Sequence, residues 1–172
     1  MRTLFVLLSL SVLVCANIEL PDNFQADFIQ KITNTKAKVI EYRGKVLFSN
    51  GKLFKWRYIE PTKKEVCTDG SELLVVDHDL EQVSTYRIAK GMDIAKILNK
   101  AELYSKNVYV AEYEHKKYTI QLHHEKLHSI AYFDDLDNKV QIVFTRMKYG
   151  RGDLAKKEMR CDYPKTYDMI RG

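Results

Sequence analysis

The chain of 172 residues carries 28 lysines and arginines against 23 aspartates and glutamates, a formal net charge of +5, and 45% of its residues are hydrophobic. The two signs of charge are interspersed without a run of basic residues, which argues against a nucleic-acid partner. The length and the hydrophobic content suit one folded domain with a core of its own.

The N-terminal residues have the pattern of a secretory signal peptide. Arg2 precedes an apolar run from Leu4 to Val14, interrupted only by two serines, and Ala16 offers a small-residue cleavage site. The run is too short for a permanent membrane-spanning helix. The sequence therefore predicts a signal peptide at 1–16, a single domain at 17–172 and an exported, soluble product.

The same segment leaves a second interpretation open. Residues 12–15 loosely resemble a lipobox, which would make Cys15 a lipidated N-terminus and anchor the protein to a membrane. Such a motif needs a small residue before the cysteine, and Val14 is not one. Two further cysteines, Cys67 and Cys161, could form a disulfide in an exported protein or remain separate thiols, and the sequence leaves both possibilities open.

After the signal peptide, apolar residues recur with a period of two, the spacing of β-strands. Two early runs, "FQADFIQKI" and "KVIEYRGKVLF", each place a set of residues on one face: Phe24, Ala26, Phe28 and Ile32 in the first, and Ile40, Tyr42, Gly44, Val46 and Phe48 in the second. The dipeptide Asn50-Gly51 then predicts a hairpin turn.

The strand after that turn, "LFKWRYIE", has an aromatic side and a cationic side. Phe54, Trp56 and Tyr58 share one face, and Lys55 and Arg57 share the other. The aromatic side is expected to face inward. The cationic side is expected to point outward, toward solvent or a partner.

Further strands are predicted at "KKEVCT", "ELLVVD", "QVSTYRI", "NVYVAEY", "KYTIQLH", "LHSIAYF", "VQIVFTRM" and "EMRCDY". "ELLVVD" is continuously apolar, as in a strand that is covered on both faces. Within "GMDIAKILNKAELYSK", one helical face carries Ile94, Ile97, Leu98 and Ala101, which predicts an amphipathic helix after Gly91.

These elements predict a mainly β fold: one antiparallel sheet of about ten or eleven strands that curls into a half-barrel, with a helical lid. A small barrel can be filled by its own side chains, whereas an open one can enclose a ligand. The periodicity therefore allows the inner face to be either a packed core or an apolar cavity.

Three clusters of polar residues could form a metal-binding or catalytic site. His123, His124 and His128, with Glu125, have the donor types of a zinc or copper site. However, a hairpin turn at Glu125-Lys126 would point the first two histidines to opposite faces, so a polar hairpin tip is favoured.

Two acidic clusters are also interpreted as turns. Asp77, Asp79 and Glu81 surround His78 between two strands, where solvent keeps carboxylates ionised. The run 134–138, "DDLDN", resembles half of a calcium loop but lacks its glycine and its distal glutamate. With no nucleophile elbow, phosphate loop or CxxC pair, the sequence predicts no enzyme, no catalytic residue, no metal and no cofactor.

Several short motifs occur in an order that resembles a known family. They are Phe24 to Phe28 with Gln30, then "LFKW" followed by Pro61, then Asp69-Gly70, then Leu80 with Gln82-Val83. Over the range from Phe24 to Pro164 this order is similar to the periplasmic outer-membrane lipoprotein carrier proteins, the LolA family.

The resemblance implies a fold and a task. The fold is an unclosed antiparallel β-barrel with an α-helical lid over an apolar cavity. The task is to bind acylated lipoproteins released by an inner-membrane ABC transporter (LolCDE-type) and to carry them across the periplasm to an outer-membrane acceptor (LolB-type), where one exists. The protein would act as a monomer and without covalent chemistry.

By the same resemblance, two sets of residues would bind lipid. The cavity lining would be Ile40, Tyr42, Val46, Phe48, Phe54, Trp56 and Tyr58, and the lid would contribute Ile94, Ile97, Leu98 and Ala101. Each of these residues could instead belong to an ordinary core.

The chain departs from the family pattern at two places. The family often has an Arg-Pro pair before the "LFxW" strand, with the arginine tied to lid closure, whereas this chain has Asn50 and Gly51. The family also usually begins with a helix, and few residues precede Phe24 here, so a smaller lid and a more open cavity are expected.

Three other functions stay open at the level of sequence. A lipidated Cys15 would make the protein an anchored acceptor of the same fold. A filled barrel would make it a module that binds other proteins. A metal-dependent enzyme built on His123, His124 and His128 ranks last.

Overall fold

The structure is a computed structural model that describes residues 18–50, 52–68, 71–87 and 94–171. The predicted signal peptide with Cys15, and the glycines of the predicted turns and helix start, lie outside the described residues. The strands are β1 (Asn23–Thr33), β2 (Val39–Ser49), β3 (Leu53–Glu60), β4 (Lys64–Thr68), β5 (Glu72–Asp77), β6 (Gln82–Arg87), β7 (Glu102–Ser105), β8 (Val108–Tyr113), β9 (Lys116–His123), β10 (Lys126–Phe133), β11 (Lys139–Gly150) and β12 (Asp168–Arg171). Two short helices are present, α1 (Ile94–Asn99) and α2 (Lys156–Met159).

The described strands form one sheet in the order β12-β6-β5-β4-β3-β2-β1-β11-β10-β9-β8-β7. Neighbours are antiparallel throughout, except that β12 lies parallel to β6. Because β7 and β12 do not pair with each other, the barrel is unclosed. The predicted fold is confirmed, with twelve strands in place of about ten or eleven.

The additional strands lie where the sequence pattern does not predict a strand. The stretch 102–105 was assigned to the predicted helix, but it forms β7 and pairs with β8 through a turn where Asn107 has φ 61°. The helix therefore ends at Asn99, and Ala101 is buried beyond it. The predicted strand "EMRCDY" is also wrong, because α2 covers its first two residues and the rest is extended but unpaired.

Long ladders join β1, β2 and β3, and one glycine lets them approach. A Cβ added at Gly44 would lie 2.0 Å from the carbonyl oxygen of Arg57 and 2.8 Å from the Phe28 ring. The ladder between β2 and β3 shifts register between Arg43 and Gly44. Glycine is required here because backbone and an aromatic ring occupy the space of a side chain.

The sheet has buried residues on both of its faces. On the inner face, the strands from β8 round to β3 pack with α1 into one large apolar cluster. Four buried apolar residues lie outside that cluster: Cys67, Val76, Val83 and Met159. The first three project from the outer face of β4, β5 and β6, which the C-terminal segment (residues 151–171) contacts.

Within the part of the chain that the structure describes, no helix has the length and apolar character needed to cross a membrane.

Candidate functional site

The inner face of β1 to β5 is built from rows of residues in register. One row runs through Ala26, Val46, Trp56, Val66 and Val75 and is wholly apolar. A parallel row begins with Phe24, Phe48 and Phe54. Strand alternation places each row on one face, so the inner surface is a continuous apolar wall.

Aromatic contacts fill the middle of this wall. Trp56, which is 5% exposed, meets the Phe28 ring edge-on at 4.8 Å and lies 6.1 Å from Phe144. The Phe24 and Phe48 rings stack at 4.9 Å. Such pairs stabilise a core by about 0.5–1.5 kcal/mol beyond their buried area.

Helix α1 contacts β8 and belongs to the same apolar cluster as the wall. Four of its six residues are buried: Ile94, Ala95, Ile97 and Leu98. Only Lys96 and Asn99 are exposed. The sequence pattern identified three of these four contacts and missed Ala95, which is small enough to bring the helix close to the sheet. The described part of the inner face is therefore packed by α1 and by its own side chains.

The structure places the residues that were predicted to bind lipid in three groups. Val46, Phe48, Trp56, Ile94, Ile97 and Leu98 are buried in the inner cluster, as is Ala101. Phe54 and Tyr58 are partly buried against it. Tyr42 is half-buried and meets the Tyr58 ring at 5.7 Å, whereas Ile40 is 50% exposed near the start of β2, outside the packed cluster.

One end of the inner face is polar. The Tyr58 hydroxyl donates to Oε1 of Gln30 at 3.0 Å, and Gln30 lies opposite Tyr42 in the ladder. Burial, reinforced by the neighbouring Tyr132 and Tyr42, raises the pKa of Tyr58, and burial raises the pKa of Tyr132 to about 12. These hydroxyls therefore stay protonated and act as donors near neutral pH.

The cationic side of β3 is not what the sequence predicted. Lys55 is 4% exposed, and its Nζ lies 3.1 Å from Glu65 and donates to the Arg160 carbonyl oxygen at 2.6 Å. Only Arg57 is exposed, and its Nε donates to the other Glu65 oxygen at 2.8 Å. The prediction that both cations point to solvent is therefore wrong for Lys55, because the C-terminal segment covers it.

Glu65 is the centre of this outer-face cluster. It also accepts a hydrogen bond from the Asp162 backbone N–H at 3.1 Å. Burial alone would raise the pKa of Glu65, but this N–H, Lys55 and Arg57 together lower it below 4.5. The carboxylate is thus fully ionised at neutral pH and holds two cations and one backbone group.

A disulfide fastens the same region. Cys67 and Cys161 are bonded, with their Cα atoms 5.7 Å apart and a separation of 94 positions in sequence. Lys55 lies opposite Cys67 in the ladder, so the disulfide and the buried ion pair are adjacent. The possible pairing of these two cysteines was the sequence signal that the C-terminal segment folds back over β3 and β4.

The histidine cluster lies at a hairpin tip. The turn residues are His124 and Glu125, with φ 48° and 61°, one position earlier than predicted. The His123 ring lies 4.2 Å from the His124 ring and 5.9 Å from the His128 ring, so the prediction that His123 and His124 point apart is wrong. Among the described residues, the one group with metal-ligand spacing is Glu65 with the two disulfide cysteines.

Both acidic clusters form the turns that the sequence predicted. Asp77 accepts the backbone N–H groups of Asp79 and Leu80 and lies 3.0 Å from Lys64 Nζ. Asp134 accepts the N–H groups of Leu136 and Asn138 across its own turn. In these roles the carboxylates stabilise loops.

A groove of about 300 Å³ lies on the outer face, between β2, β1 and β11. It contains the Arg146–Asp27 ion pair and the exposed Lys45 and Lys148. It forms where the ladder between β1 and β11 slips at Gln25 to Asp27.

Known proteins are similar in sequence to this chain over most of its length. The sequence model of the family described as outer membrane lipoprotein carrier protein LolA matches residues 21–148, and the chain belongs to that family. A Campylobacter jejuni protein is 30% identical over 150 residues, 87% of each chain, and a Wolinella succinogenes protein is 28% identical over 174 residues, 99% of each. Both are named outer-membrane lipoprotein carrier protein.

Solved structures share the fold at low sequence identity. An uncharacterized conserved protein from Thermus thermophilus matches with a TM-score of 0.56 at 12% identity, covering 89% of this chain and 92% of that one. A LolA superfamily protein from Nitrosomonas europaea matches with a TM-score of 0.52 at 13% identity, covering 86% and 94%.

Proposed function

We propose that this chain is a soluble periplasmic carrier that binds the acyl chains of lipoproteins on the inner face of its half-barrel. The observation that carries the proposal is the inner apolar wall around Trp56, which shares one buried cluster with a helix of six residues, in a member of the lipoprotein carrier family. Acyl chains would take the place of α1 on that wall.

The free energy gained by burying acyl chains is partly offset by the loss of the contacts that α1 makes. Each methylene that leaves water contributes about 0.8 kcal/mol, so acyl chains with many methylenes gain a large free energy on the wall. Four buried side chains of α1 must give up the same surface. This competition lowers the net affinity, which suits a carrier that must release its cargo.

The partners follow from the proposed task. Cargo would come from an inner-membrane ABC transporter of the LolCDE type and go to a LolB-type acceptor in the outer membrane. The carrier would work as a monomer in the periplasm, without cofactor or enzymatic chemistry. The family membership and the apolar wall support this proposal, while the two partners are carried over from the family.

The only tryptophan in the chain gives a direct test. A lipopeptide with bromine atoms on its acyl chains should quench Trp56 fluorescence when the chains reach the inner wall. The same peptide without acyl chains is the matched control and should leave the fluorescence unchanged. Saturable quenching that an unbrominated lipopeptide reverses is the expected result.

Two outcomes would favour the other functions. If neither lipopeptide changes the fluorescence or competes with a hydrophobic fluorophore, the barrel is a filled module and carriage is wrong. Mass spectrometry of the mature N-terminus addresses the anchored acceptor separately. A chain that begins at diacylglyceryl-Cys15 would replace the soluble carrier with that acceptor.

A further inference from the structure

The inner face is not uniformly apolar, and its polar end has an ordered composition. Gln30 pairs with Tyr42 across β1 and β2, and one position along the sheet Tyr58, Lys64 and Asp77 are successive ladder partners across β3 to β5. Tyr58 joins the two sets through its hydrogen bond to Gln30 and its ring contact with Tyr42, and the five residues are called the polar row. The neighbouring row, through Val46 and Trp56, is apolar. The inner face thus has an apolar part beside a part that carries hydrogen-bonding groups.

Two side chains in this row, Gln30 and Tyr42, have a hydrogen-bond donor that no described residue accepts. Because the Tyr58 hydroxyl donates to Gln30 Oε1, the amide is held with its Nε2 donor turned the other way. Within the described residues, Gln30 Nε2 and the Tyr42 hydroxyl make no hydrogen bond to the protein, and both side chains are half-buried. Tyr42 packs edge-on against Tyr58, which brings the two hydroxyl-bearing rings together.

The charges in the row are already neutralised. Lys64 Nζ lies 3.0 Å from Asp77, and both belong to the inner face. Tyr58 carries no charge near neutral pH, because burial raises its pKa. A row of neutral donors beside a compensated ion pair favours an uncharged acceptor over a carboxylate or a phosphate.

The position of the row identifies that acceptor. Acyl chains that lie on the apolar row would place their carboxyl ends beside the polar row. In a diacylglyceryl group, the carboxyl end of each acyl chain is an ester carbonyl. We propose that Gln30 and Tyr42 form a subsite that donates hydrogen bonds to the ester carbonyl oxygens that join cargo acyl chains to their glyceryl group, and that Tyr58 positions the Gln30 amide for this role. This inference rests on the proposed carrier function.

The subsite would set the orientation of cargo. A chain could lie on the apolar wall in either direction at similar cost, because dispersion and burial have no preferred direction. Carbonyl groups left in the apolar region without partners would cost free energy, whereas carbonyl groups at the polar row would be satisfied. The glyceryl end, with the attached polypeptide, would therefore stay at the polar end of the barrel.

The test compares two ligands that differ only in the carbonyl groups. A diacylglyceryl-cysteine peptide and its dialkyl-ether counterpart of equal chain length are titrated against Trp56 fluorescence. The wild type should bind the ester about 3- to 10-fold more tightly, as expected for one or two hydrogen bonds. Gln30→Leu, Tyr42→Phe and Tyr58→Phe should each reduce that ratio toward one while still binding the ether.

The matched control is Tyr109→Phe, which removes a hydroxyl from β8, four strands away from β1 in the sheet. It should keep the ester-to-ether ratio of the wild type. If Gln30→Leu does not fold, the two tyrosine variants decide the question, since each removes a single oxygen atom.

The possible outcomes separate this inference from the function on which it rests. If the wild type binds neither ligand, the carrier function itself fails. If it binds both equally, or if the three variants keep its preference, the carbonyl subsite is wrong and the carrier function stands. Tighter binding of a free fatty acid than of the ester would also overturn the subsite, because it would show that the site selects an anion.

Discussion

The two faces of the sheet are covered in different ways. On the inner face, α1 contacts β8 and buries four residues in the apolar cluster that also contains the aromatic wall. On the outer face, the C-terminal segment is held by a disulfide to β4, by the hydrogen bond from buried Lys55 to the Arg160 carbonyl oxygen, and by hydrogen bonds from Asp162 to Glu65 and from Leu154 to Ser49 at the end of β2. Helix α1 is held by apolar burial, which does not depend on an exact fit. The C-terminal segment is held by directional and covalent bonds.

The two segments differ in whether cargo can replace their contacts with the sheet. Apolar contacts can be exchanged for those of an acyl chain with little loss, because burial depends on area and not on direction. Hydrogen bonds to buried charged groups and a disulfide cannot be exchanged in that way, since breaking either leaves an unpaired group or a broken bond. We infer that α1 is the displaceable cover and that the C-terminal segment is the permanent one.

The largest effect is expected at the outer cover. Lys55→Asp would place a second carboxylate against Glu65 in a buried site and lower the free energy of unfolding by about 3–5 kcal/mol. Lys148→Asp makes the same change at an exposed outer-face position and should cost less than about 0.5 kcal/mol. Urea denaturation measures both. Equal, small losses would mean that Lys55 is a surface residue after all.

The disulfide should come next. Replacing Cys67 and Cys161 together with serine should lower the free energy of unfolding by about 2–4 kcal/mol, because the bond joins residues 94 apart in sequence. Quenching of Trp56 by a brominated lipopeptide should stay as in the wild type. A loss of lipopeptide binding in the folded double variant would show that the two faces are coupled and would contradict the division between them.

A smaller change tests the displaceable cover. Ile97→Val in α1 and Ile130→Val in β10 each remove one methylene from a fully buried side chain, and each should cost about 0.5–1.5 kcal/mol of stability. Only Ile97→Val weakens the competitor of the cargo, so it alone should raise lipopeptide affinity, by about 2- to 10-fold. Equal affinities for the two variants would show that α1 stays in place when cargo binds.

The smallest effect concerns pH. The folded-state pKa of Glu65 is lowered below 4.5, so its contribution to stability is present at neutral pH and is lost as the pH falls through that lowered value. Glu65→Gln should therefore show a smaller drop in unfolding free energy between pH 7 and pH 3.5 than the wild type. A residual slope is expected from Asp77 and Asp134, whose pKa values are also lowered.

Sequence reasoning predicted the inner face better than the outer one. Strand alternation assigns Trp56 and Lys55 to opposite faces, and this assignment is confirmed. Alternation does not say which faces are covered, because the cover of Lys55 comes from residues about a hundred positions away in the chain. The sequence also could not show that protein side chains pack the described part of the inner face, since an apolar wall has the same periodicity whether it contacts protein or lipid.

Local signals failed where pairing overrode them. The apolar spacing that predicts a helix continues through Ala101, yet Glu102–Ser105 pairs with β8 as a strand. The sequence did not indicate the grouping of Gln30, Tyr42 and Tyr58, because it depends on the register of three strands. The two lipid-binding sets inferred from the resemblance therefore remain predictions for the experiments above.

Strand β3 has buried residues on both of its faces. This limits the substitutions that the strand tolerates. Most strands of an open sheet accept change at every second residue, because one face meets water. At Lys55 and Trp56 that alternation is absent, since both neighbours are buried, and it returns only at Arg57 and beyond. A saturation-mutagenesis profile of this strand would therefore show a short, unbroken stretch of intolerance at its centre, surrounded by the alternating pattern of an ordinary barrel.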